Sequence, residues 1–215
     1  MRQTAISFKS KGLTLEGVLS VPQGQTGPFP AAVLCHPHPL FGGTMDNTVI
    51  TAVAGALDGV GIAALRFNFR GLPPSEGKFD DGKGEQQDIR AALDILKRWP
   101  DIDGKRLALA GYSFGAQVIL RGLGKYGAAR ALALISPPLP AFDDSPIARS
   151  STAKLFLVGS ADRLIRSEQL KERVAALPPP TEFREIPGAD HSWRGHEPEA
   201  ARHVAEFMAA VFSPS

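Results

Sequence analysis

The chain has 215 residues, of which 43% are hydrophobic and 21% charged, and its formal net charge at pH 7 is +2. A chain of this length and composition fits a single domain, residues 1–215, with a sizeable buried core. The small net charge, without a long run of like charges, argues against nucleic acid and against a membrane as partners.

Two further features of the composition bear on the compartment. The first residues, MRQTAIS, lack the apolar core of a signal peptide, and no stretch is long enough to cross a bilayer. Cys35 is the only cysteine, which excludes an internal disulfide and agrees with a reducing environment. We therefore expect a soluble cytoplasmic protein.

The N-terminal residues predict a β-hairpin. Residues 4–9 and 13–20 alternate between apolar and polar side chains, and the turn sequence SKG at 10–12 separates them. Such alternation is typical of an antiparallel pair at the edge of a sheet.

Beyond the hairpin, apolar runs of strand length alternate with segments of helical periodicity. Predicted strands cover residues 31–35, 61–67, 107–110, 131–135, 154–159 and 182–186. Predicted helices cover residues 46–57, 85–99, 116–123, 167–177 and the segment from Pro198 onward. This order predicts an α/β fold, with a mainly parallel twisted sheet and helices on both faces. The short connection 137–153 leaves no room for a cap domain, so we expect an open site.

The first buried strand runs into the sequence HPHPLFGG at 36–43. Pro37 and Pro39 cannot donate to a strand ladder, so this segment is predicted to be an irregular loop. His36 and His38 are two residues apart, but no acidic third ligand lies nearby, and we predict no metal site. We expect the two histidines to shape the loop, with His36 hydrogen-bonded inside.

The loop that follows the next strand, residues 68–77, contains Arg70. A guanidinium at a strand end is suited to bind a substrate carboxylate through two hydrogen bonds. The alternative, which the sequence favours, is an ion pair with a neighbouring acid, either Glu76, Glu85 or Asp88.

The sequence GYSFG at 111–115 lies where the strand pattern changes to a helical one. Glycines on both sides of Ser113 allow the tight turn of a G-x-S-x-G nucleophile elbow, which places a serine hydroxyl at the N-terminus of a helix. The strand before and the helix after supply the context that this motif requires. We therefore predict that Ser113 is a nucleophile.

A serine hydroxyl becomes a nucleophile when a base takes its proton and a carboxylate orients that base. His191 directly follows the predicted strand 182–186. His203 falls inside the last predicted helix, and His196 lies too near the start of that helix to follow a strand. We assign His191 as the base.

Asp162 directly follows the predicted strand 154–159, so it shares the carboxyl edge of the sheet with the base. Asp190 is adjacent to the base in sequence and is expected to point elsewhere. Asp143 and Asp144 follow another strand, where some related folds place the acid. Among these alternatives we favour Asp162.

Ser113, Asp162 and His191 occur in the serine, acid, histidine order of α/β-hydrolases. With HPHP at 36–39 and NFRG at 68–71, the chain resembles small, lidless hydrolases similar to dienelactone hydrolase over nearly its whole length. Ser113 stands where dienelactone hydrolases proper carry a cysteine. The resemblance implies an α/β-hydrolase fold without a cap domain, and hydrolysis of carboxylic esters without a cofactor.

An oxyanion hole needs two backbone N–H groups. One is expected from Phe114, the residue after the nucleophile, and the other from the loop after the strand 31–35. The prolines of that loop have no N–H, which leaves His38 and Leu40 as donors. The resemblance to hydrolases with a His-Gly-x segment here favours His38.

The prediction is a serine hydrolase that cleaves esters with short-chain or small acyl groups through an acyl-enzyme on Ser113, as a monomer or homodimer. The side chains expected to contact the substrate flank this site, namely His36, Leu40, Phe41, Arg70, Tyr112 and Trp193. Thioesterase or perhydrolase chemistry uses the same three residues. A protein that keeps the fold for binding alone is the alternative of another class.

Overall fold

An eight-stranded sheet runs through residues 1–213, the part of the chain that this computed structural model describes. The strands are β1 (Arg2–Ser10), β2 (Leu13–Val21), β3 (Phe29–Cys35), β4 (Ala63–Phe67), β5 (Ile102–Tyr112), β6 (Ala129–Ile135), β7 (Ala153–Gly159) and β8 (Thr181–Ile186). Their order across the sheet is β1-β2-β4-β3-β5-β6-β7-β8. Strand β2 is antiparallel to both of its neighbours, and all other pairs are parallel. The predicted hairpin and the mainly parallel sheet are confirmed.

The hairpin has a two-residue turn. Lys11 and Gly12 have φ angles of +49° and +91°, and Ser10 pairs with Leu13 across the turn. Two consecutive positive φ angles match the right-handed twist of the flanking strands, and glycine adopts such angles without strain. The local sequence therefore sets the register of the sheet edge.

The five α-helices within residues 1–213 lie on both faces of the sheet, as predicted. They are α1 (Thr48–Gly59), α2 (Glu85–Leu96), α3 (Phe114–Gly122), α4 (Ser167–Ala175) and α5 (Glu197–Phe212). Helices α1 and α5 cover one face, and α2, α3 and α4 cover the other. The predicted ends differ by a few residues. For example, α1 begins at Thr48 and not at 46, because the Asn47 side chain accepts a hydrogen bond from the Val49 N–H and caps the helix.

The central strands are buried on both faces. Along β3, Val33 and Cys35 pack with α2 and α3, whereas Ala32 and Leu34 pack with α1 and α5. This burial explains the continuous apolar runs, because each successive side chain enters one of two apolar layers.

The connection between β6 and β7 contains two short 3₁₀ helices, Leu139–Phe142 and Pro146–Arg149. It adds no layer over the carboxyl edge of the parallel strands, which agrees with the open site predicted from its length. Among the helices of residues 1–213, none combines the length and the apolar character needed to cross a bilayer.

A buried histidine joins the loops that follow β3 and β4. His36 Nε2 accepts a hydrogen bond from the Phe69 N–H at 3.1 Å, and His36 Nδ1 donates to the Pro37 carbonyl at 2.6 Å. One ring nitrogen accepts and the other donates, so the imidazole is neutral. Burial lowers the pKa of His36 to about 4.

A buried carboxylate holds the start of the loop after β4. Asp88 of α2 is fully buried and accepts hydrogen bonds from the Arg70 guanidinium at 2.8 and 3.0 Å. It also accepts from the Arg70 N–H at 3.1 Å and from the Ser10 hydroxyl at 2.6 Å. Helix α2, the hairpin and the loop therefore meet at the Asp88 side chain.

We expect Asp88→Asn to lower the free energy of unfolding by about 3 kcal/mol, because it leaves the Arg70 cation without its charged partner. Urea unfolding measures the change. Asp101→Asn is the matched control, since the Arg2–Asp101 ion pair is more than half exposed on both sides, and such pairs contribute less than about 1 kcal/mol. Equal effects of the two substitutions would contradict the structural role of Asp88.

Protonation of His36 is expected to destabilise the fold. Its folded pKa of about 4 lies below the value of about 6.5 for an unfolded histidine, so the unfolded state binds more protons between these values. The contribution of His36 to the free energy of unfolding is therefore fully present above pH 6.5. It is lost as the pH falls to about 4, and the loss is at most about 3 kcal/mol. Unfolding free energies of the wild type and of His36→Asn, measured from pH 7.5 to 4, test this. Parallel curves would show that His36 does not carry the pH dependence.

Candidate active site

Ser113 occupies a strained turn between β5 and α3. Its φ is +52° and its ψ is −110°, a backbone conformation that residues other than glycine rarely adopt. A Cβ added at Gly115 would lie 2.1 Å from the Cys35 carbonyl oxygen, and one at Gly111 would lie 2.6 Å from the Ala116 nitrogen. The close approach of backbone to backbone requires glycine at both positions and explains the predicted pattern.

The structure brings the three predicted residues together in one hydrogen-bonded series. Ser113 Oγ lies 3.1 Å from His191 Nε2, and His191 Nδ1 lies 2.8 Å from Asp162 Oδ2. Each residue follows the carboxyl end of a different parallel strand, namely β5, β8 and β7. In this arrangement His191 can take the Ser113 proton while Asp162 orients the imidazole.

Asp162 is held as a carboxylate. Its side chain is fully buried, and Oδ1 accepts hydrogen bonds from the N–H groups of Leu164 and Ile165, each at 2.9 Å. Burial raises its pKa, but the hydrogen bonds from His191 and Ile165 outweigh this effect, and the pKa lies below its ordinary value. The Asp162 carboxylate therefore stays ionised opposite His191.

Tyr112 is hydrogen-bonded to the backbone of His191. Its hydroxyl donates a hydrogen bond to the His191 carbonyl oxygen. Burial and nearby acids raise the pKa of Tyr112 far above its ordinary value, so the hydroxyl remains a donor. The residue before Ser113 thus contacts His191, the candidate base.

The competing acids and bases have other contacts. Asp143 and Asp144 form ion pairs with arginines on the surface, and Asp190 accepts hydrogen bonds from two backbone N–H groups of its own turn. His196 precedes α5 as its N-cap residue, and His203 lies within α5. None of the five is hydrogen-bonded to Ser113, His191 or Asp162 in the part of the chain that the structure describes.

The loop after β3 lies against the start of α3. The His38 and Phe114 rings are 4.9 Å apart, and both residues line the pocket that contains Ser113. Phe114 is the first residue of α3, so its N–H has no partner within the helix. The Leu40 N–H donates to His38 Nδ1 at 3.3 Å, whereas the His38 N–H has no partner among residues 1–213. Of the two donors considered in this loop, His38 is the one that is free.

The pocket beside Ser113 has a volume of about 620 Å³. Phe41 and Leu164 line it although they are 87% and 72% exposed, so they present apolar surface at its mouth. The polar lining includes Gln117, Arg194 and Glu197. The sequence analysis did not identify Leu164, Gln117, Arg194 or Glu197 as pocket residues. Only Leu164 could have been found, because it lies two residues after Asp162.

Four of the residues expected to contact a substrate do not line this pocket. His36 and Trp193 are fully buried, and the expected internal hydrogen bonds of His36 are present. The Arg70 guanidinium pairs with Asp88, one of the acids considered above. Leu40 is 68% exposed and does not line the pocket. Tyr112 and Phe41, the remaining two, do line it.

No cluster of three or more histidine, cysteine, aspartate or glutamate side chains within residues 1–213 is arranged to hold a metal ion. Cys35, beneath the elbow, is fully buried, and burial raises the pKa of its thiol.

The chain is similar to known proteins over most of its length. A protein of Rickettsia prowazekii (strain Madrid E) without an assigned function is 31% identical over 192 residues, which are 86% of this chain and 80% of that protein. A lidless α/β serine hydrolase from Xanthomonas campestris has a TM-score of 0.87 and 29% identity, covering 100% of this chain and 97% of the other. An α/β serine hydrolase homologue from Coxiella burnetii has a TM-score of 0.81 and 31% identity, covering 99% of both chains.

The match to a family covers the region that contains the site. Residues 77–212, more than half of the chain, match the dienelactone hydrolase family, and this range includes Ser113, Asp162 and His191. The lidless architecture is shared with the Xanthomonas campestris enzyme. The chain therefore belongs to the dienelactone hydrolase family and is a hydrolase of the α/β fold without a lid.

Proposed function

We propose that this protein is a serine esterase that cleaves carboxylic esters through an acyl-enzyme on Ser113. The observation that carries the proposal is the hydrogen-bonded series from Ser113 Oγ to His191 and on to Asp162, at 3.1 and 2.8 Å. A base within hydrogen-bond reach of a serine, itself oriented by a buried carboxylate, is the arrangement that activates a hydroxyl for acyl transfer.

In acylation, Ser113 Oγ attacks the ester carbonyl carbon and its proton passes to His191 Nε2. The carbonyl oxygen becomes an oxyanion, which accepts hydrogen bonds from the N–H groups of Phe114 and His38. The C–O bond to the alcohol then breaks, and His191 returns its proton to the departing alkoxide. Asp162 stays ionised and stabilises the imidazolium form of the base.

In deacylation, a water molecule replaces the alcohol. His191 takes a proton from the water as its oxygen attacks the acyl carbon, and the same two N–H groups hold the second oxyanion. The bond to Ser113 Oγ breaks, His191 returns the proton to that oxygen, and the carboxylic acid leaves. The reaction needs no group beyond the chain and water.

The pocket supports short-chain or small acyl groups as substrates. It is open, and Phe41 and Leu164 supply the apolar surface at its mouth. The Phe41 N–H donates to the His38 carbonyl and the Leu164 N–H donates to Asp162, so both side chains are attached to backbone that belongs to the site. A short hydrocarbon chain on the ester carbonyl would be covered there.

A fluorophosphonate, which phosphonylates activated serines with loss of fluoride, tests the assignment without a chosen ester. We expect one adduct by intact mass, located on Ser113 by peptide mapping, and none in Ser113→Ala. His191→Ala is expected to slow labelling by about 100-fold or more, because the general base is lost. His203→Ala, in α5, is the matched control and should label at the wild-type rate. A folded wild-type protein that stays unlabelled would overturn the proposed function.

Phe41→Ser is expected to weaken the preference for longer acyl chains. Each buried methylene is worth about 0.8 kcal/mol, or about fourfold in kcat/KM, and butyrate has two methylenes more than acetate. The ratio of kcat/KM between butyrate and acetate p-nitrophenyl esters should therefore fall by about fourfold for each methylene that Phe41 covers. Labelling by a small fluorophosphonate should stay unchanged. Leu40→Ser, the exposed neighbour outside the pocket, should leave the ratio as it is. A Phe41→Ser protein with the wild-type ratio would show that the acyl chain binds elsewhere.

A further inference from the structure

Three aromatic rings contact one another where the loop after β3 meets the first turn of α3. The His38 and Phe79 rings are 5.0 Å apart, the Phe79 and Phe114 rings are 5.6 Å apart, and the His38 and Phe114 rings are 4.9 Å apart. Centroid distances of this size are typical of rings in contact. His38 and Phe114 carry the backbone N–H groups that are the candidate oxyanion donors. Phe79, from the loop between β4 and α2, therefore contacts the side chains of both donor residues.

The segment that carries the His38 N–H is hydrogen-bonded within itself. The His38 carbonyl oxygen accepts hydrogen bonds from the Phe41 and Gly43 N–H groups, each at 3.0 Å, and His38 Nδ1 accepts from the Leu40 N–H at 3.3 Å. Within the described chain, none of the hydrogen bonds of residues 38–43 reaches α3. Burial lowers the pKa of His38, so its ring is neutral at pH 7 and can pack against apolar rings. The ring contacts therefore attach this segment to α3.

The loop that carries Phe79 is bound to a buried carboxylate. Glu85, the first residue of α2, is fully buried. Its two oxygens accept hydrogen bonds from the Asp80 N–H at 2.8 Å and the Gly82 N–H at 2.9 Å. A Cβ added at Gly71 would lie 2.4 Å from the Phe79 nitrogen, so the first part of the same loop is packed against this backbone. The Phe79 ring therefore projects from a backbone that is fixed on both sides.

Phe79 does not belong to the lining of the pocket beside Ser113, whereas His38 and Phe114 do. It is partly buried and packs against the larger of the two apolar layers of the core. A substrate in the pocket would therefore contact His38 and Phe114 but not Phe79. Any effect of Phe79 on the reaction has to pass through those two residues.

We propose that Phe79 is a positioning residue for the oxyanion hole. Its ring contacts the side chains of both donor residues and thereby holds their N–H groups at the separation that the oxyanion requires. Glu85 acts one step further away, because it fixes the loop that carries the ring. Displacement of a donor affects the reaction itself, since the N–H groups stabilise the transition state more than the bound ester. This inference rests on the proposed esterase function, because it assigns a role around the same nucleophile.

Three variants separate positioning from a contribution to folding alone. F79L removes the ring and keeps an apolar side chain, whereas F79Y keeps the ring. F183L is the matched control, since Phe183 is also partly buried against the same apolar layer. It lies in the edge strand β8, three strands away from β5. Thermal unfolding of F79L and F183L measures what the loss of a partly buried ring costs the fold at each position.

With p-nitrophenyl acetate, kcat and kcat/KM of F79L should fall together by about tenfold, the pattern of a lost interaction that is made only in the transition state. The loss should stay below the 100-fold or more that is typical when an oxyanion donor is removed outright, roughly. F79Y and F183L should keep the wild-type kcat. The pH at which kcat/KM is half-maximal should be unchanged in F79L, because Phe79 does not contact His191.

A trifluoromethyl ketone probes the oxyanion hole directly. Ser113 Oγ would add to the ketone carbon, the serine proton would pass to His191, and the ketone oxygen would become a hemiketal oxyanion that resembles the transition state. Its inhibition constant should rise in F79L by the same factor by which kcat falls. In F183L the inhibition constant should equal that of the wild type.

E85Q provides a second test that leaves the ring in place. One carboxylate oxygen becomes an amide NH₂, which cannot accept a hydrogen bond from a backbone N–H, so the loop of Phe79 loses one of its two attachments. E85Q should lower kcat and weaken ketone binding, each by less than F79L. The double variant F79L/E85Q should be no slower than F79L, because Glu85 acts through a ring that is already absent.

The outcomes distinguish this proposal from the function on which it rests. A folded wild-type protein that a fluorophosphonate does not label on Ser113 overturns the esterase assignment and the positioning role with it. A labelled wild type overturns the positioning role alone if F79L keeps the kcat of F183L, if F79L changes KM and not kcat, or if F79Y is as slow as F79L. If F79L does not fold, E85Q decides, since wild-type kcat and ketone binding in that variant would contradict the role.

Discussion

The close contact between the Cys35 carbonyl oxygen and Gly115 is the constraint on which the site depends. A Cβ at residue 115 would lie 2.1 Å from that oxygen, so α3 approaches the end of β3 as closely as backbone allows. The contact places the loop that begins at His36 beside the first turn of α3. It also leaves Ser113 at a φ of +52° between strand and helix. Because β3 and β5 are neighbours in the sheet, Ser113 and the candidate oxyanion donors also lie next to each other.

The parallel pairing of the strands brings the remaining residues of the site together. Strands β5, β6, β7 and β8 are consecutive in the sheet as well as in the chain, so the residues after them meet at one edge. Ser113, Ser136, Asp162 and the loop of His191 follow these strands in that order. Hydrogen bonds across the edge then join loops that no helix or strand connects. No lid covers the site, and the sheet beneath it fixes the positions of its residues.

Much of this could be predicted because burial leaves a periodic pattern. Continuous apolar runs indicated the parallel strands, and the change of period at the GYSFG sequence indicated the elbow. What could not be predicted depends on where single side chains point. Arg70 had three acids within reach along the chain, and only packing brings Asp88 of α2 against it. Trp193 lies in a polar loop, so nothing local indicated that its indole is buried on Ser136.

The uncovered edge has a consequence for the timing of turnover. In hydrolases with a lid, closure assembles the site and expels water, and opening can limit the rate of product release. Here two short 3₁₀ helices take the place of a cap between β6 and β7, and the side chains around Ser113 are already in hydrogen-bonded positions. Substrate, product and the hydrolytic water can reach and leave Ser113 past the exposed side chains of Phe41 and Leu164.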